Sequence, residues 1–260
     1  MDIFRRIRKW VLRMFTGASE LQRICGDRLH DGAMTLAVRR SLLASRQLAA
    51  EARQALSAQP LAAGAKQENV VLARLSEPAV PKAAQEAAQL CLRICEVKGI
   101  DVQGRDVSAE IVTSNLRLSV DTLFYTRAVI GRLQELRAEV VAQGDPALDV
   151  LWDTLRPGVR RTGGALTDEW GEIGFQGKDP CTDFRGMGRL ALLQLTHMCS
   201  VKNEEARGLL TFMSEPYIPF AATGINVTGL VVQLLEERLL DHRLVALADR
   251  CDMLNLVRGS

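Results

Sequence analysis

The chain has 260 residues, of which 47% are hydrophobic, 25% charged and 5% aromatic. This length allows one large domain, or one domain with an extension, to bury a sizeable core. The low aromatic content argues against a strand-rich sandwich, so we expect an all-α soluble protein.

The positive charge is concentrated at the N-terminus. Residues 1–60 hold eleven Lys and Arg against five Asp and Glu, whereas the whole chain has a net charge of only +2. These basic residues show neither interleaved aromatic residues nor a recognisable motif of a nucleic-acid-binding domain. We therefore expect no nucleic acid partner.

Six cysteines, at positions 25, 91, 95, 181, 199 and 251, are scattered without a CxxC pair. No secretory signal is recognisable, so reduced thiols in the cytoplasm are expected. Cys91 and Cys95 lie one helical turn apart and could bind a metal together with a histidine, but the chain has only three histidines. Burial as small apolar side chains is the favoured interpretation, and no metal or cofactor is predicted.

The first predicted element is an amphipathic helix in MDIFRRIRKWVLRMF, residues 1–15. Its apolar residues at helical spacing are Ile3, Phe4, Ile7, Trp10, Val11, Met14 and Phe15, and its basic residues are Arg5, Arg6, Arg8, Lys9 and Arg13. This helix either packs on the core or lies in the interface of an anionic membrane. The candidate membrane contacts are Phe4, Arg5, Arg6, Arg8, Lys9 and Trp10. The apolar run is too short to span a bilayer.

An Ala- and Arg-rich stretch from Ala33 to Ala65 leads into SAQPLAAGAKQEN, which is typical of a linker or mobile loop. A second break follows at EPAVP, residues 77–81. Residues 1–65 are therefore expected to form an N-terminal extension that includes the amphipathic helix, and residues 82–260 the main domain.

Within the main domain the positions of glycine, proline and capping residues predict helices. Strand-like alternation of apolar and polar residues is almost absent. Helices are expected over 82–98, 108–118 and 121–143, the last ended by Gly144. Asp145 followed by Pro146 is typical of a capped helix start, and Pro157 would end that helix after Leu155. Further helices are expected over 189–198, 203–213, 225–240 and 241–257.

The segment WGEIGFQGKDPCTDFRGMGRLALLQL, residues 170–195, is a charged, turn-rich loop that runs directly into an apolar helix. It closely resembles the signature of the ELMO domain family, in which a tryptophan, IGFQG, DP, TDFRG and a glycine-leucine helix recur in this order. The matching residues are Trp170, Ile173, Gly174, Phe175, Gln176, Gly177, Asp179, Pro180, Thr182, Asp183, Phe184, Arg185, Gly186 and Gly188. Residues 16–25 and 224–228 resemble further elements of the ELMOD branch. The resemblance implies an ELMO-type helical domain over 82–260 with its signature loop at 170–195.

Proteins of the ELMOD branch are GTPase-activating proteins for Arf-like small GTPases, and they need the arginine of DFRG. By resemblance that arginine is Arg185 here, and the implied partner is an Arf-family or Arf-like GTPase in its GTP form. The implied supporting or partner-binding positions are Trp170, Gly174, Phe175, Gln176, Asp179, Thr182, Asp183, Phe184, Gly186 and Gly188. Trp170 and Phe175 are expected both to anchor the loop and to contribute docking surface.

An arginine of this kind would neutralise charge that grows on the phosphate oxygens in the transition state. Thr182 or Asp183 is expected to cap the following helix, and Gly186 and Gly188 to admit a partner closely. In the alternative interpretation Arg185 is a buried structural residue paired with Asp183, Asp179 or Glu172. Close helix packing is the alternative for the glycines.

The sequence has no GxxxxGK[ST] phosphate loop, no GxSxG elbow and no HExxH motif, so we expect a regulator without a nucleotide site of its own. Two other functions remain open. One is a non-catalytic adaptor similar to the scaffold ELMO proteins, which pair with an exchange factor. The other is a membrane-tethered module that binds GTP-loaded Arf-like proteins without activating them. The expected location is cytoplasmic, with peripheral membrane association if the first helix binds lipid.

Overall fold

The computed structural model describes residues 2–26, 30–57, 79–101, 107–214 and 217–243. Within these ranges the chain is helical and contains no β-strand, which confirms the predicted all-α fold. The α-helices in them are α1 (Asp2–Thr16), α2 (Glu20–Gly26), α3 (Gly32–Leu43), α4 (Ala49–Leu56), α5 (Ala79–Lys98), α6 (Val107–Ala138), α7 (Pro146–Leu155), α8 (Gly188–Val201), α9 (Asn203–Ser214) and α10 (Phe220–Glu236). Two 3-10 helices, Asp168–Ile173 and Pro180–Gly186, lie between α7 and α8.

The chain divides into two compact units. The first comprises Met1–Ile130 and Leu239–Ser260, and the second comprises Gly131–Arg238. Helix α6 contributes residues to both. No helix among the described residues combines the length and the apolar content that a membrane span requires.

The first unit has its own apolar core, to which α2, α3, α4, α5 and α6 each contribute buried side chains. Helix α3 begins at a capping aspartate, because the Asp31 carboxylate accepts a hydrogen bond from the Met34 amide at 2.7 Å. Helices α3 and α4 place Val38, Leu42 and Ala52 in this core. The Ala- and Arg-rich stretch is therefore structured up to Leu56, and most of the predicted linker at 57–69 lies outside the described residues.

Cys25, Cys91 and Cys95 are buried in this core as free thiols. Burial raises the pKa of the Cys25 thiol to about 12. A hydrogen bond between Cys91 and Cys95 raises the pKa of Cys91 and lowers that of Cys95. Nowhere among the described residues do three or more metal-ligating side chains cluster.

The second unit is built around α8, which contacts α7, α9, α10 and the second 3-10 helix. Leu192, Leu195 and Cys199 of α8 are buried between these elements. Helix α7 begins and ends where the sequence predicts: the Asp145 carboxylate accepts from the Ala147 amide at 3.0 Å, Pro146 opens the first turn, and the helix ends at Leu155.

The predicted boundaries of α6 and α10 need correction. Residues 108–118 and 121–143 were expected as two helices, but α6 is one continuous helix. Ser119 and Val120, the residues between the two predicted ranges, are buried within it, and neither residue type breaks a helix. Helix α6 ends at Ala138 rather than 143, and the Glu139 carbonyl accepts from the Arg189 amide at 2.9 Å.

Helix α10 begins at Phe220, five residues before the predicted start, because Phe220, Ala221 and Ala222 are buried as its first turn. It ends at Glu236 rather than 240. Gly224, inside the helix, serves close packing: a Cβ there would lie 2.8 Å from the Leu195 side chain. Of the helix expected over 241–257, only residues 241–243 are described.

Candidate functional site

The signature loop is two short 3-10 helices joined by a turn. The first is capped by Thr167, whose hydroxyl accepts from the Glu169 amide at 3.3 Å, and the second by Asp179, whose carboxylate accepts from the Cys181 amide at 3.0 Å. The Thr167 amide donates to the Lys178 carbonyl at 3.0 Å, which joins the start of the first 3-10 helix to the residues just before the second. The loop is therefore held by its own backbone and capping hydrogen bonds.

A row of four aromatic rings lies beneath the loop. Trp152, Trp170, Phe175 and Phe184 stack edge to face, with successive centroids 5.8, 5.7 and 5.6 Å apart. All four side chains are buried. Trp170 and Phe175 therefore support the loop from the core, and the expectation that they contribute docking surface is wrong.

Arg161 covers one end of this row. Its guanidinium lies 3.9 Å from the centroid of Trp170 and 5.7 Å from that of Trp152, and it also pairs with Asp149. The indole nitrogens are satisfied as well: Trp170 donates to the Ala165 carbonyl at 3.0 Å and Trp152 to that of Val159 at 2.6 Å. Sequence reasoning missed Arg161, because it belongs to no motif.

Arg185 is exposed and forms no hydrogen bond or ion pair with any residue that the structure describes. The carboxylates proposed to neutralise it are engaged elsewhere. Glu172 pairs with Arg156 at 2.5 Å, Asp179 caps the second 3-10 helix, and Asp183 accepts from the Gln176 amide at 2.9 Å. The interpretation of Arg185 as a buried paired residue is therefore wrong.

The predicted capping of α8 is also corrected. Helix α8 begins at Gly188 with Met187 at the N-cap and no side-chain cap. The Thr182 hydroxyl instead donates to the Asp179 carbonyl at 2.8 Å, and Asp183 reaches back across the turn to Gln176. Both side chains brace the loop itself rather than the helix that follows.

Two glycines of the signature have left-handed backbone conformations and close backbone neighbours. Gly174 has φ +85°, and a Cβ there would collide with the Phe220 backbone nitrogen. Gly188 has φ +51°, and its Cβ would collide with the carbonyl oxygens of Arg137 and Glu139. Gly188 is buried, so the expectation that it admits a partner is wrong and the packing alternative holds. Gly186 is exposed and has open space around it.

Two further arginines form contacts at the C-terminal end of the loop. Arg137 donates through Nε to the Gly186 carbonyl at 3.2 Å and pairs through Nη1 with Glu236 at 3.2 Å. Arg189 pairs at 2.5 Å with Asp145, whose side chain is only 5% exposed. Sequence reasoning missed both, because these partners lie 44 to 99 residues apart in the chain.

The outer surface of the signature is small. From Trp170 to Gly188 its exposed residues are Gly171, Glu172, Gln176, Gly177, Lys178, Arg185 and Gly186. Lys178 pairs with the exposed Asp168 at 3.0 Å. Arg185 thus presents the one cationic group of this surface that has no partner among the described residues.

The first unit carries the other candidate surface, on α1. Four of its apolar side chains are exposed: Ile7 by 53%, Trp10 and Met14 by 64% each, and Phe15 by 80%. Val11 is half-buried. Arg8 is exposed as well, whereas Lys9 turns inward and pairs with Glu20 at 2.5 Å. Most of the described apolar face is thus not used to pack α1 on the core. Among the candidate membrane contacts, the side chains of Phe4, Arg5 and Arg6 lie outside the described residues.

In its described residues the second unit is an all-helical fold that carries one braced loop with an exposed arginine, Arg185. Residues 139–252 match the sequence model of the ELMO/CED-12 family. ELMO domain-containing protein B of Dictyostelium discoideum is 30% identical over 238 residues, which cover 89% of this chain and 74% of that protein. ELMO domain-containing protein 2 of Mus musculus is 28% identical, covering 91% and 72%, and ELMO domain-containing protein 1 of Homo sapiens is 27% identical, covering 88% and 69%.

The chain belongs to the ELMO/CED-12 family. No solved structure matches it. The family match begins at residue 139, so the domain boundary expected at residue 82 stays a prediction.

Proposed function

We propose that this protein is a GTPase-activating protein for an Arf-family or Arf-like small GTPase, and that Arg185 acts on the partner's bound GTP. The single observation that supports the proposal best is that the Arg185 side chain is exposed and has no described partner. Its guanidinium is exposed and unpaired among the described residues, at the end of a loop that is otherwise fully braced. Membership of the ELMO/CED-12 family supports a role connected with small GTPases.

The chemistry belongs to the partner, which supplies the nucleotide, the magnesium and the attacking water. The arginine adds positive charge where negative charge grows on the phosphate oxygens in the transition state. An inserted arginine accelerates hydrolysis by roughly 10³ to 10⁵. Lysine is a poor replacement, because its ammonium cannot contact two phosphate oxygens with a planar fork.

The bracing of the loop favours this role. An arginine that already held a carboxylate in its own protein would have to break that pair before it reached a nucleotide. Here Asp183, Asp179 and Glu172 are occupied by other donors, so Arg185 has no such pair to break. A fixed backbone also reduces the ordering cost when the side chain enters the partner's site.

The direct test is single-turnover hydrolysis of GTP by a panel of Arf and Arf-like proteins without lipid anchors, with and without the full chain. We expect at least one member of the panel to be accelerated by two orders of magnitude or more at a saturating concentration of the chain. Binding to a GTP-loaded member without any acceleration would favour the adaptor or the non-activating module instead.

The nucleotide dependence of binding tests the same proposal independently. Because Arg185 gains its interaction only when a γ-phosphate or its analogue is present, affinity should be highest for the GDP form with aluminium fluoride. It should be lower for the GTP form and lowest for GDP alone, as measured by calorimetry with one responsive GTPase. Preference for the GDP or nucleotide-free form would point to an exchange factor.

We also propose that the outward face of α1 binds anionic membranes, where lipid-anchored GTPases reside. Trp10, Met14 and Phe15 supply exposed apolar surface, and the exposed Arg8 and Arg13 supply positive charge beside it. Flotation with phosphatidylserine vesicles should fall strongly for the Trp10→Ser/Met14→Ser variant and weaken as salt rises. Phe212→Ser, at an exposed phenylalanine of α9, is the matched control. Equal flotation of all three proteins would contradict this role.

A further inference from the structure

A small cleft in the first unit has an unbalanced set of charges. It has a volume of about 150 Å³ and lies between α1, α2, α3 and the end of α5. Its walls carry the cationic side chains of Lys9, Arg13, Arg23 and Lys98. Glu20 is the acidic residue that lines it. The cleft therefore has an excess of three positive charges.

The described contacts leave most of this charge without an anionic partner. Lys9 pairs with Glu20 at 2.5 Å, and Glu20 also accepts from the Ser41 hydroxyl at 2.5 Å. Lys98 donates to the Ser45 hydroxyl at 3.1 Å, and Arg23 to the Ala18 carbonyl at 2.5 Å. Neither partner carries a charge.

Arg13 has no side-chain hydrogen bond or ion pair with any described residue. The lowered pKa of Lys98 reflects burial first and then repulsion from Lys9 and Arg13. A bound anion would remove that repulsion, because it would place negative charge between like charges.

The cleft also offers hydroxyl groups that donate a hydrogen bond to no described residue. Ser19 Oγ accepts from the Gln22 amide at 3.3 Å, and Ser45 Oγ accepts from the Leu48 amide at 3.3 Å as well as from Lys98. Each of these hydroxyls retains a hydrogen to donate. Guanidinium, ammonium and hydroxyl donors around one small space are suited to the oxygens of a phosphate group.

Size restricts the ligand further. Pockets for drug-sized molecules occupy about 300–1,000 Å³, so a volume of about 150 Å³ is too small for a whole nucleotide. It is large enough for a phosphate group whose carrier extends outside the cleft. Lys9 and Arg13 come from α1, whose outward face exposes Trp10 and Met14. A bilayer bound to that face would bring lipid headgroups beside these two cations.

We propose that this cleft binds the phosphate of a phosphorylated lipid headgroup. The choice of a lipid as the carrier rests on the proposed membrane role of α1, whereas the binding of phosphate does not. The site would make membrane binding selective for phosphomonoester lipids rather than merely for negative charge.

Calorimetry of the full chain with soluble inositol 1,4-bisphosphate tests phosphate binding. Flotation with vesicles that contain phosphatidylinositol 4-phosphate, against phosphatidylserine vesicles of equal surface charge, tests the lipid source. We expect calorimetric binding, and at least tenfold stronger flotation on the phosphoinositide vesicles. The Arg13→Gln/Lys98→Gln variant should lose both the calorimetric binding and the preference for phosphoinositide vesicles. Because Arg13 also adds surface charge to α1, the flotation of this variant on phosphatidylserine should weaken, to an extent similar to that of a variant lacking another exposed cation of α1. It should melt no lower than the unaltered chain, because the substitutions relieve repulsion.

The matched control is Arg8→Gln, an exposed cation of α1 that does not line the cleft. It should weaken flotation on both vesicles equally and leave the calorimetric binding unchanged. Absence of calorimetric binding, or binding that survives Arg13→Gln/Lys98→Gln, would overturn the site. Calorimetric binding without a preference for the phosphoinositide vesicles would overturn the proposal that the phosphate belongs to a lipid. Stimulation of a GTPase enters neither measurement, so failure of the activator proposal would be seen separately.

Discussion

Arg185 and Arg189 lie four residues apart and differ in their surroundings. Arg189 is partly buried and holds the carboxylate of Asp145, which also caps α7. Arg185 is exposed and contacts no carboxylate among the described residues. We infer that the first arginine stabilises the fold and that the second remains available to a partner.

The stability of two alanine variants should reflect this difference. Arg189→Ala leaves the buried Asp145 carboxylate without its cation, so we expect the free energy of unfolding to fall by about 3 kcal/mol. Arg185→Ala should change it by less than about 0.5 kcal/mol, as is usual for exposed positions. Urea denaturation followed by circular dichroism measures both values. Similar losses for the two variants would show that Arg185 is also structural.

Gly188 and Gly186 allow a second comparison of the stability of two alanine variants. Gly188→Ala places a Cβ against the carbonyl oxygens of Arg137 and Glu139 at a left-handed φ, so a loss of about 2 kcal/mol or more is expected. Gly186→Ala adds a methyl group to open space at a φ that other residues adopt, so it should leave stability unchanged or raise it by less than about 1 kcal/mol. Thermal melting of both variants provides the comparison. A larger loss for Gly186→Ala would contradict the packing described for Gly188.

At the scale of elements, Arg137 links three parts of the second unit. It belongs to the last turn of α6, donates to the Gly186 carbonyl beside Arg185, and pairs with Glu236 at the end of α10. Only a guanidinium can bond the carbonyl through Nε and the carboxylate through Nη1 at once. We therefore regard Arg137 as a positioning residue for the turn that carries Arg185.

A double-mutant cycle tests this positioning. If Arg137 acts only through Arg185, Arg137→Ala should lower the saturating single-turnover rate about tenfold with little change in the half-saturating concentration. The Arg137→Ala/Arg185→Ala variant should then be no slower than Arg185→Ala alone. Arg132→Ala, on the same helix and paired with Glu135, is the control and should retain full activity. A double variant much slower than Arg185→Ala would mean that Arg137 contacts the partner itself.

The sequence predicted those elements that local chemistry determines. Asp145 and Pro146 mark the start of α7, and the all-helical composition gave the fold class. The continuity of α6 could not be predicted, because burial of Ser119 and Val120 depends on distant residues. The signature run located the loop but not the contacts of Gly188 or Arg137, since these depend on chain segments that the loop meets only after folding.

At the scale of the whole molecule, the two candidate surfaces belong to different units. The signature loop and its bracing residues lie in Gly131–Arg238, whereas α1 and its cationic cleft lie in the other unit. Membrane binding and stimulation of hydrolysis should therefore be separable by mutation.

The Trp10→Ser/Met14→Ser variant tests this separation. In a membrane-free assay with a GTPase that lacks its lipid anchor, the variant should stimulate hydrolysis at the rate of the unaltered chain. With an anchored GTPase on anionic vesicles, it should require a higher concentration for half-maximal stimulation. Slower hydrolysis without membranes would mean that α1 also affects the activating site.

The central claim is that Arg185 supplies charge to the transition state of GTP hydrolysis. The measurement that tests it most directly is the saturating single-turnover rate of a responsive Arf-family GTPase with Arg185→Ala, Arg185→Lys and Arg160→Ala, each checked by thermal melting. Arg160 is an exposed arginine outside the signature that has no ion pair among the described residues. Both Arg185 variants should lose at least 100-fold in rate with unchanged melting, and Arg160→Ala should keep full activity. Retention of most of the activity by Arg185→Ala would contradict the claim.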